Sequence, residues 1–198
     1  MTELASRRPR PEYQPLAAPV PRAGSADVVE LILADHRRIR RLSQSLDDAV
    51  RWAARSGPDW APAHVWQRLA ELLQAHTRAE EEICYLLAAR SGPHADARTR
   101  DMAADHDDIR EAIAEAALQP AGSALWWRAV RTVQTNIPLH LDHEERDILV
   151  SLQHQLTTSR RLEIGRQWTA FTAAWMQDAS QSPPRPVAAA QRVNQRPS

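Results

Sequence analysis

Four stretches of the chain carry apolar residues in alternating steps of three and four, the repeat of a helix with one buried face. In the first, which opens at Asp27, the stripe is Val29, Ile32, His36, Ile39, Ser43, Leu46 and Val50. The second, from about Asp59 to Pro62 onward, gives Val65, Leu69, Leu72, His76, Ala79, Ile83 and Leu86. The third, about 95–118, gives Met102, His106, Ile109 and Ile113, and the fourth, about 123–154, gives Val130, Val133, Ile137, His140, Glu144 and Ile148. Each stripe holds one histidine where a leucine would be expected. A fifth helix, about 158–177, carries Leu162, Ile164, Trp168, Phe171 and Trp175 and is expected to pack on the outside. β-type alternation is almost absent. The expected fold is all-α: an up-and-down antiparallel four-helix bundle with an additional C-terminal helix.

The punctuation agrees. Asp27 with Glu30 three residues on has the form of a capping box. The pentapeptide Ala-Arg-Ser-Gly-Pro follows both the first and the second helix, ending at Pro58 and at Pro93, and supplies a glycine and a proline that stop a helix. Pro138 lies inside the fourth helix and is expected to kink it just before His140. Residues 1–25 hold five of the 14 prolines and four arginines, and with residues 178–198 they read as disordered tails. The structured unit is therefore expected over 26–177, with its core over 26–155.

Composition narrows the function. The formal net charge is zero, which argues against nucleic acid or an anionic membrane as the main partner. All 25 basic residues are arginine, which we read as genomic base composition. The single cysteine, Cys84, excludes an intrachain disulfide and a cysteine-rich zinc site, and reads as a small buried residue. No apolar run reaches the roughly 18–20 residues of a membrane span, and no secretory signal is evident, so a cytoplasmic setting is expected.

The histidines carry the chemistry. Glu80 follows His76 by four residues and Glu144 follows His140 by four, so each pair presents a nitrogen and an oxygen on one helix face. Their neighbours Glu81, Glu82 and Glu145 are expected to face solvent. At a rise of about 1.5 Å per residue, His36 and His106 lie about 13–15 Å from the starts of their helices, and Glu80 and Glu144 about 15 Å from the ends of theirs. In an antiparallel bundle all four distances are measured from one pole, so six donors should meet at one level. A loose internal repeat, ADHRRIR against ADHDDIR and HTRAEEEI against HLDHEERDI, suggests a pseudo-twofold, two-metal site. Two carboxylates and four imidazoles in a core need cations to offset their burial. Four nitrogens and two carboxylates with no thiolate suit iron, manganese or zinc.

These paired motifs resemble the hemerythrin-like, or HHE cation-binding, family over about residues 26–155. The resemblance implies a non-haem di-iron centre of two iron ions, with His36, His76, Glu80, His106, His140 and Glu144 as ligands and the two glutamates bridging. Such a centre would bind a small diatomic ligand, dioxygen or nitric oxide, or peroxide. The chain departs from the oxygen-carrying members, which have a His-x-x-x-His pair on the third helix and a bridging aspartate on the fourth. That shifts the reading toward sensing, iron handling or oxidative and nitrosative stress, with an enzyme that decomposes peroxide or repairs iron centres as the alternative. A ferritin-like oxidase needs Glu-x-x-His on two helices, and no glutamate here has a histidine three residues later. A purely structural bundle, or an interaction module working through its proline-rich tails, is the remaining alternative. His143 is a candidate seventh ligand, with a surface role as the other reading, and Asp35 and Asp105 are candidate partners of the ligand imidazoles. His64, His94 and His154 are expected to be solvated, and Trp52, Trp66, Trp126, Trp127, Trp168 and Trp175 to fill the bundle and its join with the fifth helix.

Overall fold

The computed structural model describes residues 26–56, 61–89 and 95–181. It consists of helices, with no strand among the described residues. α1 spans Val28–Ser56 and α2 Ala61–Ala79. A π-helical stretch, Glu80–Tyr85, continues α2 into the short α3, Leu86–Ala88. α4 covers Ala95–Ala117, α5 Ala124–Arg146, α6 Ile148–Gln155 and α7 Thr158–Gln181. The pairs α1 with α2 and α4 with α5 form the bundle, and α7 packs across α1 and α2. The expected N-terminal tail, residues 182–198 and the two Gly-Pro links lie outside the described residues, while 178–181, expected to belong to the disordered C-terminal tail, instead extend α7.

Local chemistry explains the helix starts. Asp27 accepts a hydrogen bond from the Val29 N–H and so caps α1. Its other oxygen takes one from Arg161, which ties α7 to the N-terminal end of the bundle. Ser123, in extended conformation, accepts from the Trp126 N–H and caps α5.

Two expected helices are not regular. The second was expected to continue as α-helix through Leu86, but a π turn bonds each residue to the fifth before it and so absorbs one extra residue. The buried stripe moves on by one position. Leu86 is 65% exposed and Ile83 only half-buried, whereas Cys84, Tyr85 and Ala88 are buried. The fourth helix was expected to continue to about residue 154, with a kink at its proline. Pro138 does lie within α5, and the interruption falls at Asp147, whose N–H bonds the carbonyls of both Glu144 and His143. Ile148, Leu149 and Leu152 remain buried beyond the break.

The core has two apolar parts. One contains Ile39, Leu46, Leu69, Leu73, Ile109, Val130, Val133 and Ile137, and the other Val28, Ile32, Cys84, Tyr85, Ile148, Leu152, Ile164 and Trp168. His36 lies between Ile32 and Ile39 along α1, so the polar layer is sandwiched between the two. Of the tryptophans expected inside, Trp66, Trp126 and Trp168 are buried and Trp127 and Trp175 half-buried. Trp52 is not: it is 46% exposed.

α7 approaches closest at Gly165, where an added Cβ would collide with the Ala26 carbonyl oxygen. Backbone cannot swing aside as a side chain does. Gly165→Ala is therefore expected to destabilise the protein by roughly 1–3 kcal/mol through overpacking, measured by chemical denaturation. An unchanged midpoint would mean that α7 sits less tightly than described.

Candidate metal centre

Four buried histidines and two buried glutamates occupy the layer between the apolar halves: His36, His76, Glu80, His106, His140 and Glu144 are each at most 2% exposed. α1 supplies His36 and α2 supplies His76, with Glu80 opening the π turn. α4 supplies His106, and α5 supplies His140 and Glu144. The structure thus brings all six expected residues together. His36, His76, Glu80 and Glu144 form one group of donors and Glu80, His106 and His140 a second, with Glu80 common to both.

Distances define the arrangement. Glu80 Oε1 lies 2.9 Å from His76 Nε2 and 3.8 Å from His36 Nε2, while its other oxygen lies 3.3 Å from His106 Nε2. One carboxylate therefore faces both histidine pairs. Glu144 Oε2 stands 3.3 Å from His36 Nε2 and 3.7 Å from His140 Nε2, again between the two pairs. His106 Nε2 and His140 Nε2 are 3.0 Å apart.

Behind each imidazole stands a carboxylate on Nδ1. Glu145 lies 2.8 Å from His36 Nδ1 and Glu81 lies 3.0 Å from His106 Nδ1. Asp35 and Asp105 approach the Nδ1 atoms of His76 and His140 at 3.8 and 3.5 Å. Arg40 donates to Glu145 and Arg110 to Glu81, both at 2.7 Å. The result is a pair of Arg-Glu-His relays related by the sequence repeat. Glu81 and Glu145 were expected to face solvent, and here the reading is corrected. Each lies one position round its helix from the seam, which points it at the neighbouring helix instead of at water, and an arginine neutralises it there. Glu82 is exposed as expected. The signal was available: Arg40 and Arg110 occupy the same place in the two copies of the repeat, four residues after His36 and His106.

His143 is exposed and lines a surface cavity of about 330 Å³ with Arg98, Asp101, Met102, Asp105, Asp147 and Ile148. At i+3 from His140 it turns outward, so its surface reading holds over the ligand one. His64 and His154 are exposed, and His94 lies outside the described residues.

The electrostatics are those of a site that wants cations. Burial opposes a charge on His36, but the nearby carboxylates of Glu144 and Glu80 outweigh it and raise the pKa to about 9. His76 is likewise opposed by burial, and the carboxylates of Glu80 and Asp35 raise it to about 10. Burial and the neighbouring His106 push His140 down to about 3. Burial would raise Glu80, yet the surrounding imidazoles hold it well below the ordinary carboxylate range. Glu144 goes the other way, raised to about 7 by burial and by repulsion from Glu80.

The donor chemistry fits a metal. Nδ1 of His36 and of His106 donates to Glu145 and Glu81, so the Nε2 of each of these rings, once deprotonated, can offer its lone pair to a cation in the interior. His106 Nε2 and His140 Nε2 lie at hydrogen-bond distance, 3.0 Å, so a proton joins them in the metal-free protein and a cation between them would take that proton's place. All four carboxylate oxygens of Glu80 and Glu144, and Nε2 of His36 and His76, lack a well-aligned hydrogen-bond partner in the protein. Two donors bound to one cation at about 2.0–2.2 Å sit about 2.9–3.5 Å apart. Four of the separations above fall in that range.

Two expectations follow. His36 and His76 hold protons in the folded, metal-free state that the unfolded chain releases above its ordinary imidazole value of 6.5, so their contribution to stability is present below that pH and lost as the pH rises through about 9 and 10. The melting temperature of metal-free protein should fall across this window, and saturating metal, which replaces those protons, should abolish the fall. A flat profile in calorimetry would contradict it. Separately, Arg40→Ala or Glu81→Gln should weaken metal binding by roughly 10–100-fold while the fold persists, because the orienting partner of a ligand imidazole is lost. Competition with a chelator measures this.

The sequence matches the family described as Hemerythrin HHE cation binding domain over residues 27–151. Comparisons with curated proteins and with solved structures found no match. The matched segment contains α1 to α5 and part of α6, and with them every histidine and glutamate of the buried layer. The chain belongs to the hemerythrin HHE cation-binding family.

Proposed function

We propose that His36, His76, Glu80, His106, His140 and Glu144 hold two iron ions as a non-haem di-iron centre, and that this centre takes up dioxygen, nitric oxide or peroxide. The observation that carries the reading is Glu80: its two oxygens face different histidine pairs, neither has a hydrogen-bond partner, and the residue is fully buried. A carboxylate placed in this way would hold a cation on each side. His36 and His76 would serve one ion, His106 and His140 the other, and Glu144 would span them from the opposite helix. Nitrogen and oxygen donors without thiolate suit iron. Bound iron would supply redox chemistry toward small oxygen- or nitrogen-containing ligands.

The chain's own residues do the rest. Glu145 and Glu81 on Nδ1 fix the His36 and His106 rings so that Nε2 points inward, and the two arginines hold Glu81 and Glu145 in place. The apolar layers above and below keep bulk water from the centre. Burial of all six donors restricts the ligand to a molecule of a few atoms.

The test is metal analysis of protein produced with iron, followed by exposure of the iron-loaded protein to nitric oxide, dioxygen and peroxide. About two irons per chain, a near-ultraviolet chromophore and a spectral change on ligand addition are expected. Stoichiometric spectral change indicates binding or sensing, and sustained turnover of peroxide indicates the enzyme. Protein that never acquires stoichiometric metal would return the bundle to a structural role. Glu144→Gln gives a second check. Removing a carboxylate that repels Glu80 should leave the metal-free protein as stable as before or more so, yet abolish metal loading. A purely structural Glu144 would show the reverse, lower stability with no effect on metal.

A further inference from the structure

We propose that the phenol oxygen of Tyr85 is a further donor to the cation at the His106–His140 side, which makes the two halves of the centre chemically unlike. The inference rests on the metal reading above and adds a residue to it.

Tyr85 Oη lies 3.1 Å from His106 Nε2, the nitrogen that faces the interior. That is the spacing expected of two donors sharing one ion, about 2.9–3.5 Å. The same nitrogen stands 3.0 Å from His140 Nε2 and 3.3 Å from Glu80 Oε2. The tyrosine ring stacks on the His106 ring, with centroids 5.3 Å apart and planes 18° from parallel. Oxygen and nitrogen are therefore held side by side. Tyr85 is 6% exposed, so its hydroxyl has little recourse to water.

The π turn is what places it there. In a regular α-helix the residue five beyond Glu80 would be turned well away from it. A π turn closes on that fifth residue and returns it to the face of Glu80. π turns often mark functional positions, and this one starts on the carboxylate shared by both histidine groups. The corresponding place on the other arm of the repeat, five residues beyond Glu144, is Leu149, buried and without a donor atom. The pseudo-twofold relation thus holds for the histidines, the glutamates and the Arg-Glu relays, and fails at Tyr85. On the His36–His76 side the aromatic neighbour is Trp168, edge-on to His76 at 5.6 Å, whose indole offers no lone pair.

On coordination the phenolic O–H bond breaks, its electron pair forms the oxygen–metal bond, and the proton passes to solvent. No oxidant or reductant is needed. An anionic oxygen on one side only would favour the trivalent state of that ion, so the two irons would differ in redox behaviour.

The experiment uses the full chain loaded separately with ferric iron and with zinc, metal content being measured in each case. The chain has two tyrosines, Tyr13 and Tyr85. With iron, a phenolate-to-iron charge-transfer band in the visible, with tyrosinate ring modes in resonance Raman, is expected in the unaltered protein and in Tyr13→Phe and should vanish in Tyr85→Phe. With zinc, which has no such band, an ultraviolet difference spectrum of ionised tyrosine should appear on loading and be absent from Tyr85→Phe. Unaltered protein that binds two metals per chain without either signature overturns the role of Tyr85 and leaves the metal site standing, whatever the folding of the variant. Signatures that persist in Tyr85→Phe overturn it equally. Protein that binds no metal removes both readings together.

Discussion

Two carboxylates set facing each other's histidines in an otherwise apolar interior are the constraint from which the rest of the molecule follows. Glu80 and Glu144 repel one another enough to separate their acidities, one held low by imidazoles and the other driven up. Neither finds a well-aligned hydrogen bond in the protein. Groups left in that condition are costly in any core. A chain folding for stability alone would place leucine there, as it does at Leu73, about two turns before Glu80, and at Leu141, one turn before Glu144. The molecule instead surrounds the pair with basic nitrogens and closes apolar layers above and below.

The surrounding shell shows how that cost is contained. Charge alternates outward from the centre: inner carboxylates, then imidazoles, then Glu81 and Glu145, then Arg40 and Arg110 near the surface. Burial alone would raise Glu81, but hydrogen bonds from His106 and Arg110 bring it down to about 2, so it remains an anion able to accept the imidazole proton. His36 and His106 are then fixed in orientation before any ion arrives. Arrangement of this kind lowers the ordering cost of binding.

Much of this could be read from residue order, for identifiable reasons. The stripes were legible because helical periodicity survives even where a histidine replaces a leucine, and the pairing of His76 with Glu80 and of His140 with Glu144 follows from one turn of helix. The common level followed from counting residues to one pole. What escaped was rotation. The run Ile83-Cys84-Tyr85-Leu86-Leu87-Ala88 offers apolar side chains in two neighbouring phases, so periodicity alone does not reveal that one residue is absorbed at Glu80. Tyr85 consequently attracted no notice, and Leu86 was given an interior place that it does not have. Glu81 and Glu145 were misread for a related reason: their partners lie on other helices, which a single helical projection does not include.

The fifth helix has a bearing on where this functional unit ends. The family match stops at residue 151, before α7 begins, yet Trp168 sits against His76 and Arg161 grips Asp27 at the opposite end of the chain. α7 thus acts as a fourth wall for one histidine pair. A chain cut at the family boundary would retain every donor but bare one flank of the centre, admitting solvent to His76 and wetting the apolar seam beneath Ile164. The segment that the family match covers and the segment that closes around the centre are, in this protein, different lengths.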